Sequence, residues 1–277
     1  MFQKTLPKKT LSRREALASL GMISGSAVLG GCQDPPSRHV HASTKQTATN
    51  PNTSKKSQSN WVYIPLEPAT VAETAYRIYP EGGCMYAIVG SVLGALADRL
   101  GEPFRSFPLE MMRYGNGGLG GWGSLCGVVN GGSALIGLFH REKPKETREN
   151  LIAELCAWYE STPLPRYQPS EPQWAKEAEA SVAGSILCHV STTKWSKTTG
   201  FEIFSMEKKE RCRRLTADGA MKVVEILNRQ VKNPVATWDK LTPEVQACVD
   251  CHGPKELGDS MGKMNCGTCH AFDKKHP

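Results

Sequence analysis

The chain has 277 residues, 39% hydrophobic and 22% charged, the composition of an ordinary globular protein, which excludes disorder along the whole length. No uninterrupted apolar run reaches the roughly 18 residues of a spanning helix, which excludes a polytopic membrane protein. The net charge of +7 is local: residues 1–60 hold nine Lys or Arg against two Asp or Glu, and the other 217 residues hold 25 of each. The body therefore offers no electrostatic reason to bind nucleic acid.

Residues 1–31 read as an export signal. Lys4, Lys8 and Lys9 precede Ser12-Arg13-Arg14-Glu15-Ala16-Leu17, and a weakly apolar stretch runs from Leu17 to Leu29. Paired arginines in this setting resemble a twin-arginine signal, and Leu29-Gly30-Gly31-Cys32 resembles a bacterial lipobox. The expectation is export to the periplasm or the outer side of a membrane, with a lipid anchor on Cys32; simple cleavage nearby and a Sec route stay open, as does a plain amphipathic helix. Residues 32–60 lack aromatics and are rich in Ser, Thr, Asn, Gln, Pro and Lys, the composition of a solvated tether.

Residues 61–235 are expected to form a bundle-like, mainly α domain with little β. Pro68 to Ile78 is a short amphipathic segment, and Cys84 to Leu100 is apolar almost all round, which predicts a buried helix. The run from Gly115 to Gly123 predicts a tight loop close to a cofactor or to another backbone. Ser124 to Phe139 predicts a second apolar helix, in which Gly131-Gly132 either interrupts the helix or permits close packing. Leu151, Ile152, Leu155 and Trp158 fall at helical spacing within Glu146 to Glu160, and Pro163 to Pro172 reads as a linker. Ser185 to Phe204 carries the β signal, as a strand or hairpin. Ser205 is the expected cap of a long helix from Met206 to about Lys232, stopped by Asn233-Pro234.

Five cysteines fall in this domain: Cys84, Cys126, Cys156, Cys188 and Cys212. An odd number leaves at least one outside any intrachain disulfide. Structural thiols with disulfides, an iron–sulfur centre held by three or four of them, and a catalytic nucleophile all fit the residues. Glycines beside Cys84 and Cys126 would let sulfur and backbone approach a cluster. Cys156 shares a helix face with Ile152 and reads as a plain core thiol.

The C-terminal segment, residues 236–277, carries two C-x-x-C-H motifs: Cys248-Val249-Asp250-Cys251-His252 and Cys266-Gly267-Thr268-Cys269-His270. This is the attachment pattern of c-type haem. Thiols three residues apart on a helical turn reach the two vinyl groups of one porphyrin, and the next residue offers its imidazole to the iron. Two motifs imply two covalently bound haems per chain. Two Cys-x-x-Cys pairs separated by fourteen residues also admit a zinc ribbon or disulfides, although neither needs a His after both second cysteines. Residues 253–265 hold three glycines and a proline, so they predict a loop that keeps the two motifs near each other.

The sixth position on each iron decides the chemistry. A second His closes it for electron transfer, whereas an open position admits small ligands. His189, His140 and His276 are the candidates, with Met261 and Met264 as weaker ones.

Gly82-Gly83-Cys84-Met85, Ser124-Leu125-Cys126-Gly127, Cys188-His189 and Glu210-Arg211-Cys212 resemble the Cys-rich domain whose pattern begins Gly-Cys-Ala; Met85 replaces the usual Ala. Joined to two C-terminal C-x-x-C-H motifs, they resemble split-Soret cytochrome c over about residues 61–277. The resemblance implies a homodimer with two stacked bis-His c-haems per subunit, one axial His of each haem coming from the other subunit. It also implies an additional iron–sulfur centre, with [2Fe–2S] as the candidate form. On this chain, Cys248, Cys251 and His252 would serve one haem and Cys266, Cys269 and His270 the other. His189 and His140 become the cross-subunit ligands, and Cys84, Cys126, Cys188 and Cys212 the cluster ligands.

The expected function is that of an electron carrier in bacterial anaerobic respiration, exchanging electrons with redox partner proteins rather than acting as an enzyme. A multihaem reductase of a small oxyanion, with one open haem site, is the alternative. A zinc-organised binding lipoprotein is the reading without redox chemistry.

Overall fold

The computed structural model describes residues 61–234, 241–260 and 262–271. The signal, Cys32, the tether, Met261 and His276 lie outside the described residues. Within them run six helices: α1 (Pro68–Leu100), α2 (Gly127–Phe139), α3 (Lys145–Ser161), α4 (Cys188–Thr199), α5 (Met206–Lys232) and α6 (Pro243–His252). Two 3-10 turns accompany them, Leu109–Gly115 between α1 and α2 and Cys266–Thr268 after α6. The mainly α expectation holds.

Each helix begins where its sequence allows. Pro68 opens α1 at a position where a missing N–H costs nothing. The two segments expected on either side of Ile78 are one helix broken at Gly83, whose φ of 81° and ψ of −166° lie outside helical space. A Cβ there would also fall 2.7 Å from Asn116 Oδ1, so glycine is required on both counts. Ser205 caps α5 by accepting a hydrogen bond from Lys208 N at 3.2 Å, and Thr242 caps α6 by accepting one from Val245 N at 3.4 Å.

The core lies where α1, α2 and α5 meet, with α3 packed on the outer side of α2. Ile88, Val92, Leu135, Leu155, Leu215 and Val223 are fully buried there. Helix α2 runs straight through Gly131-Gly132. A Cβ on Gly132 would press on Leu155 and Val223, so these glycines serve close packing and do not break the helix. Helix α1 is long and apolar enough to cross a membrane by length and composition, but 72% of its most apolar window is buried inside the domain, as expected of a core helix.

Helix α5 begins with a charged run that nonetheless buries Glu210, Arg211, Arg213 and Arg214. The Pro-rich segment expected as a linker folds over it. Glu210 accepts from Arg214 Nε (2.7 Å), Tyr76 Oη (2.8 Å) and Trp174 N (3.3 Å). Arg214 also donates to Gln168 Oε1 and to the carbonyls of Ala175 and Lys176. Arg213 donates to the carbonyl of Tyr76 at 2.6 Å, and its guanidinium lies 4.1 Å over the Tyr76 ring. Such a pair survives burial because nearly every polar atom finds a partner.

The β expectation for Ser185 to Phe204 is overturned. Residues 188–199 are helix α4, and among the described residues only the isolated bridges Leu125–Leu187 and Leu164–Ser181 have β character. The alternating pattern before Cys188 is too short to recruit a partner strand. Trp195, fully buried with its indole N–H donating to the carbonyl of Glu179 at 2.9 Å, anchors the helix instead.

Candidate functional site

Four of the five domain cysteines converge in the interior. Cys84 begins the second half of α1 after the Gly83 break, Cys126 is the N-cap residue of α2, and Cys188 is the first residue of α4. Three thiols thus sit at helix starts, where free N–H groups and the helix dipole favour negative charge. Cys212 comes from the second turn of α5 and is buried. Cys156 stands apart on α3, as expected of a core thiol, and burial pushes it up to about 11.

The four sulfurs feel one another. The hydrogen bond from Cys188 holds the Cys126 thiol down at about 6. Tyr159, the Val128 N–H and the charge of Arg211 add to it, and together they outweigh burial. Donating to Cys126 pushes the Cys188 thiol up, with burial next in size. Burial likewise raises Cys84, and the Cys126 and Cys212 charges raise it further. Around the thiols, Tyr159 Oη and Ser191 Oγ share a 3.0 Å hydrogen bond, and Arg211 Nη2 donates to Ser191 Oγ at 2.7 Å.

Among the described residues no three His, Cys, Asp or Glu side chains close on a point as a single metal ion requires. A lone ion draws thiolates to about 2.3 Å. A polynuclear centre keeps the thiolates of different irons farther apart. Four mutually interacting thiols, three buried and Cys188 half-buried, that do not meet at one point fit the polynuclear case.

The glycine-rich loop covers this group. A Cβ on Gly118, whose φ is +70°, would fall 2.7 Å from Cys188 Cβ, and one on Gly123 would fall 2.9 Å from His189 Cβ. Cys188 N donates to the carbonyl of Ser124 (2.7 Å) and His189 N to that of Gly123 (2.9 Å), which fixes the start of α4 against the loop.

His189 turns outward. With Thr193, Lys194, Lys197, Asn265 and Thr268 it lines a cleft of about 520 Å³. The second C-x-x-C-H turn forms the opposite wall and is held by Thr268 Oγ1 donating to the carbonyl of Gly184 at 2.9 Å. Cys188 and His189 are therefore neighbours in sequence that face two different sites. A second cleft, about 390 Å³, is lined by Cys248, His252, Asp259, Cys266 and His270, so residues of both motifs meet there. Cys248, Cys251 and His252 all lie on α6, in the helical turn the motif needs, and His252 Nδ1 sits 3.0 Å from Asp259 Oδ1. Cys266 opens a short 3-10 turn and Cys269 is exposed.

His140 is placed differently. It ends α2, is 6% exposed, and its Nδ1 lies 3.1 Å from the carbonyl of Ile136; burial lowers its affinity for a proton. It lines neither cleft. Arg211, Tyr159 and Ser191 belong to the thiol site and were not among the residues singled out from the sequence. The one sign of them was Arg211 standing beside Cys212.

Residues 87–226 match the family model described as "Putative redox-active protein (C_GCAxxG_C_C)". The chain is 30% identical over 270 residues to a split-Soret cytochrome c of Desulfovibrio desulfuricans, covering 94% of this chain and 95% of that protein. It is also similar to a solved structure reporting a novel iron centre in the split-Soret cytochrome c of that species, with 31% identity and a TM-score of 0.72 over 78% of this chain and 93% of that one. With the thiol group and both C-x-x-C-H motifs in place, the chain belongs to the split-Soret cytochrome c family.

Proposed function

We propose that this protein is an exported electron carrier with two covalent c-type haems and a polynuclear iron–sulfur centre in each chain. The observation that carries the reading is the pair Cys188-His189. One residue enters the buried thiol group and the next faces the cleft walled by a C-x-x-C-H turn. The metals supply one-electron exchange, and the chain supplies their positions.

In this reading Cys248 and Cys251 fasten one haem and Cys266 and Cys269 the other, with His252 and His270 as proximal ligands. His189 is the first candidate for a distal ligand, since it lies on a cleft. Lys194 and Lys197 on the same cleft suit carboxylate groups such as haem propionates. His140 ranks below it because its ring is already bonded inside the fold. Cys84, Cys126, Cys188 and Cys212 hold the second centre. The apolar side chains left in solvent next to His189 support a homodimer, in which a second copy supplies ligands across the interface: Trp122 is 87% exposed and Leu119 is 48% exposed. Export, and an anchor at Cys32, complete the proposal.

The test is a pyridine haemochrome count on protein matured in a host competent for c-haem, with non-haem iron and sulfide analysis of the same sample. Two haems per chain, non-haem iron with sulfide, and a reduced spectrum indifferent to carbon monoxide are expected. Carbon monoxide binding to the native reduced protein would turn the reading toward a reductase with an open haem. Zinc without iron would leave only the binding lipoprotein. His189→Ala should alter the haem spectrum, and an unaltered one removes His189 from the iron.

A further inference from the structure

Arg211 is 1% exposed, yet no carboxylate among the described residues pairs with it. Glu210, its neighbour in sequence, is taken by Arg214. Arg211 Nη2 donates to Ser191 Oγ at 2.7 Å and Nη1 lies 3.9 Å from Cys212 Sγ. Its Nε is buried and has no partner. A guanidinium withdrawn from water costs several kcal/mol unless an anion answers it. The groups that face it are the sulfurs of Cys212 and Cys126 and the hydroxyl of Tyr159, and no carboxylate stands among them. Metal-bound thiolates carry a full negative charge each, and together they exceed the positive charge of an iron–sulfur core.

We infer that Arg211 is the buried counter-charge of the thiolate-held centre and that it sets the reduction potential of that centre. The inference rests on the reading that Cys84, Cys126, Cys188 and Cys212 hold such a centre. Reduction adds one electron, taken from the reductant, and so one more negative charge. A fixed cation a few ångströms away, in a medium less polar than water, stabilises the reduced form more than the oxidised form. Arg211 is thus a positioning and tuning residue, placed by Ser191 and Cys212, and not a ligand.

The experiment compares the dihaem holoprotein with its Arg211→Met and Arg211→Lys variants. Non-haem iron and sulfide in the unaltered protein come first. Their absence removes the thiolate-centre reading itself and is recognised as such before any variant is examined. With the centre present, dithionite titrations followed by paramagnetic resonance read its potential, and optical spectra read the haems. Arg211→Met should lower the reduced-to-oxidised ratio of the centre at a fixed potential by at least about tenfold, or ~59 mV for one electron. Arg211→Lys should stay within about threefold of the unaltered protein, which by the same scale is under half that shift. The haem potentials should not move, which separates a local charge from general loosening. An unchanged centre potential in Arg211→Met overturns the inference. Where Arg211→Met fails to fold or assembles without the centre, Arg211→Lys decides. Retention of the centre by the lysine variant supports the counter-charge, and its loss with native haem spectra and helicity overturns it.

Discussion

Asp259 shows how much one side chain outside the ligand set can matter. Its Oδ1 stands 3.0 Å from His252 Nδ1, while His270 has no such carboxylate among the described residues. A carboxylate on the outer nitrogen makes an imidazole more basic and a better partner for the oxidised metal. The haem on the first motif should therefore have the lower potential of the two. Asp259→Asn should raise it, by less than roughly 60 mV, the tenfold limit for one electron, because Asp259 is largely exposed. A spectroelectrochemical titration that finds both haem potentials unmoved would show that this hydrogen bond plays no part in the finished protein. The two C-x-x-C-H motifs were legible in the sequence, because covalent haem attachment would demand fixed residue types at fixed spacing. Arg211, Ser191 and Tyr159 were not. A charged run such as Glu207 to Arg214 reads as a solvated face until the segment above α5 is seen to cover it.

Elements bring the thiols together by unusually close contact between helix starts. A Cβ on Gly127 would lie 2.7 Å from the carbonyl of Gly115, 2.9 Å from Cys84 Cβ and 3.0 Å from Met85 N. Backbone on two sides cannot yield, so Gly127→Ala should push α2 off α1. The expected cost is about 1–3 kcal/mol, with loss of non-haem iron while both haems remain. Calorimetry and iron analysis check it, and a variant with full iron content would mean that the contact is not limiting. A second dependence follows from Asp218 on α5. Burial raises its carboxyl from 3.8 to about 6, against the hydrogen bonds from Arg166 N and Tyr167 N that lower it. The folded state then keeps a proton that the unfolded chain releases. Stability present below about pH 4 is lost as the pH rises through about 6, on the order of 3 kcal/mol. Asp218→Asn should flatten that slope in thermal melts from pH 4 to 7, and a slope equal to that of the unaltered protein would assign the dependence to other groups. At this scale the sequence marked long, capped helices such as α5 almost to the residue. It misplaced α4, because a short β-like run carries no information about whether a partner strand exists.

The whole molecule divides by what stabilises each part. The body from residue 61 to 232 has its own apolar interior, built on α1, α2 and α5. The C-terminal segment does not: α6 buries only Val245 of its own residues, while Leu257 is 67% exposed and Met264 41%. The segment is poor in apolar residues by composition as well. On the proposed dihaem reading its fold depends on porphyrin, as small metal domains depend on their metal. Expressed in a host that lacks c-haem maturation, the chain should keep the helices of its body, and residues 241–271 should exchange amide hydrogens at close to the unprotected rate. Limited proteolysis of that haem-free protein should cut within 241–271 and leave a resistant body, and the holoprotein should resist cleavage at the same bonds. Hydrogen exchange followed by mass spectrometry reads both states directly. Protection of Val249 to His252 that is equal with and without haem would show that the segment folds by itself, and the account of two haems as its organising core would have to be given up.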